Sequence, residues 1–303
     1  MPSFEFKQVD AFTSRPLFGN PVAVVLGADG LSDEQMQRIA AWTNLSETTF
    51  VLKPTSQTAD YRLRIFTPGN ELPFAGHPTI GSAHAVLEAG VVTPRDGRMV
   101  MECGAGDLRL RVDGTGPERR IYVEAPEAKI VHDYSTSVKA VSEAIGAPIV
   151  DGSPPVSVDN GPVWLFTRVG SREAVEGLAP DMTAVARLSR DFSLTGIAVF
   201  ALTSARPSIP LDERRGDAPA VHIRCFAPAV GVPEDPVTGS ANAALPAYLA
   251  RYGLLEKTGR EYVASQGAAI GRDGRVPVRV LDDSGRAEIG GQSVTVVEGE
   301  IRL

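Results

Sequence analysis

The sequence predicts an α+β protein made of two similar halves, each a rolled β-sheet around one long helix. Three observations carry this expectation. A strand–loop–helix segment occurs twice, over residues 61–92 and 221–255. Elsewhere the period-two alternation of strands dominates, and helical stretches are few. Both repeat helices are rich in alanine (Ala83, Ala85 and Ala89; Ala241, Ala243, Ala244 and Ala247), which suits a helix packed on many sides. The length, 303 residues, is twice that of a usual domain and allows two modest cores.

In chain order, Phe4–Val9 alternates like a strand and Pro21–Leu26 is an apolar run of strand length. Leu31–Trp42 reads as a helix. Ser32 and Gln35 form a capping box, and Met36, Ile39 and Ala40 are spaced for one face. Thr48–Leu52 is β-branched and aromatic, hence a strand. A helix over Pro78–Ala89 follows Gly76-His77 and stops at Gly90, a favoured residue just past a helix end. Further strands are expected at Met99–Glu102, Leu108–Val112, Arg120–Glu124, Val163–Val169, Gly196–Leu202, Val276–Leu281 and Ser293–Val297.

The repeat aligns with a three-residue insertion in its second copy. Arg64, Phe66 and Pro68 match Arg224, Phe226 and Pro228; beyond the insertion Gly76-His77 matches Gly239-Ser240, and Gly90 matches Gly253. The period is far too long for a solenoid and indicates a duplicated half. The crossover is expected near Pro126–Pro155.

Composition narrows the function. Apolar residues make up 43% and charged residues 22%, ordinary globular values. A net charge of −7, spread along the chain, argues against a nucleic-acid partner. Cys103 and Cys225 stand far apart with no CxxC, so neither a zinc ribbon nor a disulfide framework is expected, and a cytoplasmic location fits. The N-terminus has no basic-then-apolar leader, and no apolar run is long enough for a membrane helix. No GxGxxG or GxxxxGK[ST] follows a strand. His77, His84, His132 and His222 show no ligand spacing, so no metal is expected.

The two repeat loops are where chemistry would sit. A helix start has free N–H groups and a partial positive charge, and holds an anion without a basic side chain. Gly76 and Gly239 admit a ligand close to the backbone. Two such starts facing one cleft would together hold one carboxylate; taken singly, each reads first as the capped start of a core helix, and the recurrence of the loop in both halves favours function. His77 lies at the first start, and a helix N-terminus favours its neutral form, able to donate and accept. Asp235 precedes the second start, where an Asp before Pro also suits a turn. Glu47 lies between a helix and an apolar strand. It reads either as an exposed terminal charge or as a partly buried general base whose pKa is raised by desolvation.

Asp10-Ala11-Phe12-Thr13, Phe18-Gly19-Asn20-Pro21, Ser46-Glu47-Thr48, Phe66-Thr67-Pro68, Glu71 through Pro78 and Glu234 through Ala241 resemble the motifs of the PhzF-like family of phenazine biosynthesis. The resemblance runs from the first strand to Gly290-Gly291. It implies a diaminopimelate-epimerase-like fold: pseudo-symmetric β-barrel-like halves, each around a central helix, with the site in the cleft between them. The first half would cover 1–118, completed by a C-terminal strand over 288–303, and the second 119–287. The resemblance further implies a homodimer and no cofactor. Glu47 matches the family's proton-shuttling glutamate, His77 and Asp235 match side chains that contact the substrate, and the backbone amides of Gly76-His77 and Gly239-Ser240 match its carboxylate cradle.

Related epimerases and racemases use two thiols, each just before the loop glycine. Ala75 and Thr238 stand there in this chain, which removes that mechanism. Cys103, after a strand and outside the helix start, reads as structural, and Cys225 as a small core residue. Ser265-Gln266-Gly267 resembles the family's Gln-Gly segment, but Gly271–Arg275 lacks the Arg-Pro-Ser that often follows, which bears on substrate identity. The expected reaction is cofactor-independent isomerisation of a small carboxylate by general acid–base proton transfer, with isomerisation of trans-2,3-dihydro-3-hydroxyanthranilate as the family type. The alternatives are an epimerase or racemase pairing Glu47 with Asp235 or His77, and a carboxylate-binding protein without catalysis.

Overall fold

The computed structural model describes residues 2–203 and 220–303. The chain forms two compact units, residues 1–124 with 290–303 and residues 125–289.

The first unit contains β1 (Ser3–Ala11), β2 (Asn20–Leu26), α1 (Asp33–Thr43), β3 (Thr48–Leu52), β4 (Tyr61–Phe66), β5 (Glu71–Leu72), α2 (Gly76–Glu88), β6 (Arg98–Cys103), β7 (Gly106–Asp113) and β8 (Arg120–Glu124), closed by the C-terminal strand Ser293–Arg302. That strand pairs antiparallel with β1 and β1 antiparallel with β2. β2 and β3 are parallel, β3 and β4 antiparallel, β4 and β6 parallel, and β6–β7–β8 antiparallel. α2 touches strands from both ends of this order, β8 and the C-terminal strand, so the sheet rolls around it. All but two residues of α2, His84 and Glu88, are buried. The packing is close: a Cβ on Gly81 would lie 2.4 Å from Val22 Cγ1, so no larger residue lets the helix sit on β2. α1 covers the outer face, where Met36, Ile39 and Ala40 pack with Val25, Phe50 and Phe66. The Ser32–Gln35 capping box forms as expected.

The second unit contains β9 (Lys129–Asp133), α3 (Val138–Ile145), β10 (Val156–Asp159), β11 (Val163–Arg168), α4 (Arg172–Glu176), α5 (Met182–Asp191), β12 (Gly196–Leu202), β13 (Val221–Ala227), β14 (Val232–Asp235), α6 (Gly239–Arg251), α7 (Leu255–Thr258), β15 (Glu261–Gln266), β16 (Gly274–Val280) and the first three residues of β17 (Ala287–Gly291); the C-terminal strand of the first unit is therefore β18. Its pairings repeat those of the first unit: β9–β10–β11 antiparallel, β11–β12 parallel, β12–β13 antiparallel, β13–β15 parallel, and β15–β16–β17 antiparallel. β9 takes the place that β18 fills in the first unit, so one topology is traced with a permuted start. α6 is central here, as α2 is in the first unit.

Sequence periodicity misses α3, α4 and α5, which cover the outer face of β11, β12 and β13 with Val141, Ile145, Val175, Val185 and Leu188. α2 also begins two residues earlier than expected. Ala75 is its extended N-cap, so Gly76 and His77 already lie in the first turn. Among the described residues no helix is long and apolar enough to cross a membrane.

Candidate active site

In the first unit, the sequence places Glu47, His77 and Asn20 around one point. Asn44 ends α1 in the left-handed conformation (φ 55°), turning the chain back toward the sheet. Three residues on, the Glu47 carbonyl accepts from Ala23 N–H at 3.4 Å, just before β3 runs parallel to β2. Thr49 bonds Ser82 of α2 through their hydroxyls at 2.7 Å, tying β3 to the helix that carries His77. The result sets His77 Nε2 3.2 Å from Glu47 Oε2, with the Glu47 side chain 16% exposed and that of His77 7%. On the other side of the ring, Asn20 Nδ2 lies 3.3 Å from His77 Nδ1.

Burial pushes the Glu47 carboxyl up to about 7, against a small opposing hydrogen bond from Ser46. That value lets one carboxyl both take and return a proton near neutral pH. Glu47 is therefore the partly buried carboxyl, and the exposed-charge alternative does not describe it.

The second unit builds its loop from a hydrogen-bond clamp. Asp235 ends β14 and accepts from Thr238 Oγ1 at 2.8 Å. Gln266, the last residue of β15, accepts from Thr238 N–H at 2.9 Å and from Asn242 Nδ2 at 3.1 Å. Its own amide donates to Asp235 O and Thr238 Oγ1, each at 2.9 Å. Thr238 thus uses its hydroxyl as donor and acceptor inside the loop, which suits it for scaffolding and not for the acid–base role of a racemase thiol. Ser240 is held as well: its hydroxyl accepts from Trp164 Nε1 and its carbonyl from Asn160 Nδ2, both at 2.9 Å.

The two loops share devices. Neither N-cap side chain, Ala75 or Thr238, bonds its own helix start. Instead the residue four on reaches back to the N-cap carbonyl, Thr79 Oγ1 at 2.8 Å in one and Asn242 Nδ2 at 2.9 Å in the other. Arg64 clasps Glu71 with two hydrogen bonds of 2.7 and 2.6 Å, and Arg224 clasps Glu234 with two of 2.9 and 2.7 Å. Each guanidinium also lies over the phenylalanine two residues later, Phe66 at 5.1 Å and Phe226 at 5.0 Å.

Glu47 and His77 are thus brought into contact, Gly76 starts the helix beside them, and Asp235, Gly239 and Ser240 share the loop of the other unit. Asn242 and Trp164 escape sequence reasoning, and Asn20 and Gln266 enter it only as members of motifs, without a role of their own. The signals for Asn20 and Gln266 lie in the Gly-Asn-Pro and Ser-Gln-Gly segments; Trp164 has none. His84 sits 3.9 Å from Glu88, and burial lowers its pKa. Cys103 and Cys225 are both buried and free. Among the described residues no cluster of three His, Cys, Asp or Glu side chains is grouped to hold a metal.

Rolled sheets around central helices, with a desolvated carboxyl beside one helix start, define an α+β protein of the diaminopimelate-epimerase-like class. The profile of the family described as phenazine biosynthesis-like protein (PhzC-PhzF) matches residues 9–299, and the chain belongs to that family. It is 37% identical to the trans-2,3-dihydro-3-hydroxyanthranilate isomerase of Pseudomonas chlororaphis, over 97% of this chain and 98% of the other. It is 40% identical to antisense-enhancing sequence 1 of Schizosaccharomyces pombe, over 99% of both. A solved PhzF-family phenazine biosynthesis protein of Bacillus anthracis, 30% identical, superposes with a TM-score of 0.85 over 100% of both chains.

Proposed function

We propose that this isomerase moves a proton within a small conjugated carboxylate, with trans-2,3-dihydro-3-hydroxyanthranilate as the first substrate to test. The observation that carries the reading is the Glu47 carboxyl, half-buried, raised to about 7 and 3.2 Å from His77. Ionised Glu47 removes a proton from an acidic carbon, and the same carboxyl returns it to another carbon of the conjugated system. One carboxyl suffices if both transfers use one face. The starts of α2 and α6 hold the substrate carboxylate through backbone N–H groups at Gly76-His77 and Gly239-Ser240. His77 and Asp235 orient its polar substituents.

Proton NMR of the protein with trans-2,3-dihydro-3-hydroxyanthranilate in D₂O tests this. The expected result is a shifted double bond with deuterium entering at one carbon. Deuterium wash-in with loss of optical rotation and no bond shift would make the reaction an epimerisation. Thermal stabilisation by cyclic amino or hydroxy acids with no turnover of any of them would leave a binding protein.

The family resemblance also supports a cytoplasmic homodimer that binds neither nucleic acid nor membrane; the two buried free thiols and the net charge of −7 fit such a setting. Sedimentation velocity is expected to give twice the chain mass, and a monomer at micromolar concentration overturns the dimer.

A further inference from the structure

Asn20, His77 and Glu47 form a row of amide, imidazole and carboxyl, all within the first unit. Asn20 is 1% exposed. A neutral imidazole carries one proton, and the partner of one ring nitrogen decides where it sits. Asn20 faces Nδ1 and Glu47 faces Nε2. An ionised carboxylate only accepts, so a proton on the nitrogen facing it is favoured and a lone pair there is repelled.

We propose that Asn20 is a positioning residue: its amide donates to Nδ1 and holds His77 as the Nε2–H tautomer, with that N–H on the side of Glu47 Oε2, 3.2 Å away. The proposal deepens the reading of Glu47 as proton carrier and rests on it for its catalytic meaning. With the Nε2 proton beside Oε2, the incoming proton goes to Oε1. The substrate C–H bond breaks, its electron pair enters the conjugated system, and an Oε1–H bond forms; the return transfer reverses this at the second carbon. In the other tautomer, a bare Nε2 would accept from the protonated carboxyl and divert its proton from the substrate.

The backbone explains how an amide is held at this point. Asn20 opens β2 opposite Ala11 of β1. A Cβ on the preceding Gly19 would lie 2.4 Å from Ala11 O, so only glycine lets the chain press this tightly against β1. Of the titratable groups on the packed elements, Glu47 faces the ring from the loop before β3, and Asp10 of β1 is turned to the Gly19 N–H at 3.5 Å. A carboxylate in place of the Asn20 amide would accept from Nδ1–H and favour the wrong tautomer or the imidazolium.

Two-bond ¹⁵N–¹H correlation on the full chain labelled in its four histidines reads the tautomer directly. His77 is assigned by its loss in His77→Gln, and spectra are taken above the Glu47 transition. Wild type is expected as Nε2–H, Asn20→Leu as a mixture, and Asn20→Asp with Nδ1 protonated. Turnover in both Asn20 variants is expected to fall roughly 10²-fold in kcat with KM little changed. An Nδ1–H ring in wild type, or an unchanged tautomer in a folded Asn20→Leu, overturns the proposal. The wild-type and Asn20→Asp spectra decide it if Asn20→Leu does not fold. Because the spectra need no substrate, the expected tautomers without turnover of any carboxylate would sink the functional reading and leave the tautomer assignment standing.

Discussion

Glu47→Gln is expected to lose activity and gain stability at once. The activity loss should be on the order of 10²–10⁴-fold in kcat, the usual contribution of a positioned acid–base group. The stability gain follows from linkage. Burial raises the folded-state pKa of Glu47 from 4.5 to about 7. Between those values the folded chain binds more protons than the unfolded chain, so wild type loses stability as pH rises through that window. At about 1.4 kcal/mol per pKa unit, the loss is up to about 3 kcal/mol above pH ~8 and absent below pH ~4. Glutamine cannot ionise, so the variant should stay level across the window. Denaturant unfolding of both proteins at several pH values checks this. The curves should meet in acid and part toward alkaline pH, with the variant above. A constant gap would mean that Glu47 is hydrated in the folded chain. The same titration predicts that wild-type kcat/KM falls as pH drops below about 7, because the free enzyme needs the carboxylate form.

How far the sequence could foresee this site depends on the distance along the chain over which each feature is set. The rolled α+β architecture was legible because its signals are local: alternation for β1 and β3, a capping box for α1, alanine-rich runs for α2 and α6. The helix starts were legible for the same reason, since Gly76-His77 and Gly239-Ser240 are contiguous. The Glu47–His77 contact joins residues thirty apart and the Asn20–His77 contact fifty-seven, and no periodicity encodes either. Whether Glu47 was a solvated charge or a desolvated base was a question about burial, and burial is settled by which strands roll over it.

The missed outer helices teach a different lesson. Asp181 caps α5 by accepting from Thr183 and Ala184 N–H, and Gly146 ends α3 in the left-handed conformation. Both are sequence-level signals, but a reading centred on the repeat passes over segments that lie outside residues 61–92 and 221–255. The clasp was visible too, since Glu71 and Glu234 keep the same offset as Gly76 and Gly239; only its burial was not.

That burial sets the second large effect. Arg224→Met is expected to cost about 3–5 kcal/mol, whereas Arg64→Met at the matching repeat position should cost no more than about 1 kcal/mol. Chemistry and pairing are alike in the two; exposure differs. Arg224 and Glu234 have side chains 10% and 9% exposed, and Arg224 also donates to the carbonyls of Val175, Glu176 and Leu178 at the end of α4. Removing the guanidinium strands a buried carboxylate and leaves those carbonyls without its N–H groups. Arg64 pairs with Glu71 and Asp33, whose side chains are 42% and 81% exposed, so water can replace it. The double variant Arg224→Met/Glu234→Leu should recover much of the loss, because a buried ion pair replaced whole by apolar side chains is often close to neutral. It should not recover kcat as fully if the clasp also sets Asp235, the next residue after Glu234 in β14. Denaturant unfolding of the four proteins gives the ordering. Equal losses at Arg64 and Arg224 would mean that the clasps stabilise by pairing alone, and that the carbonyls of Val175, Glu176 and Leu178 find water when the guanidinium leaves.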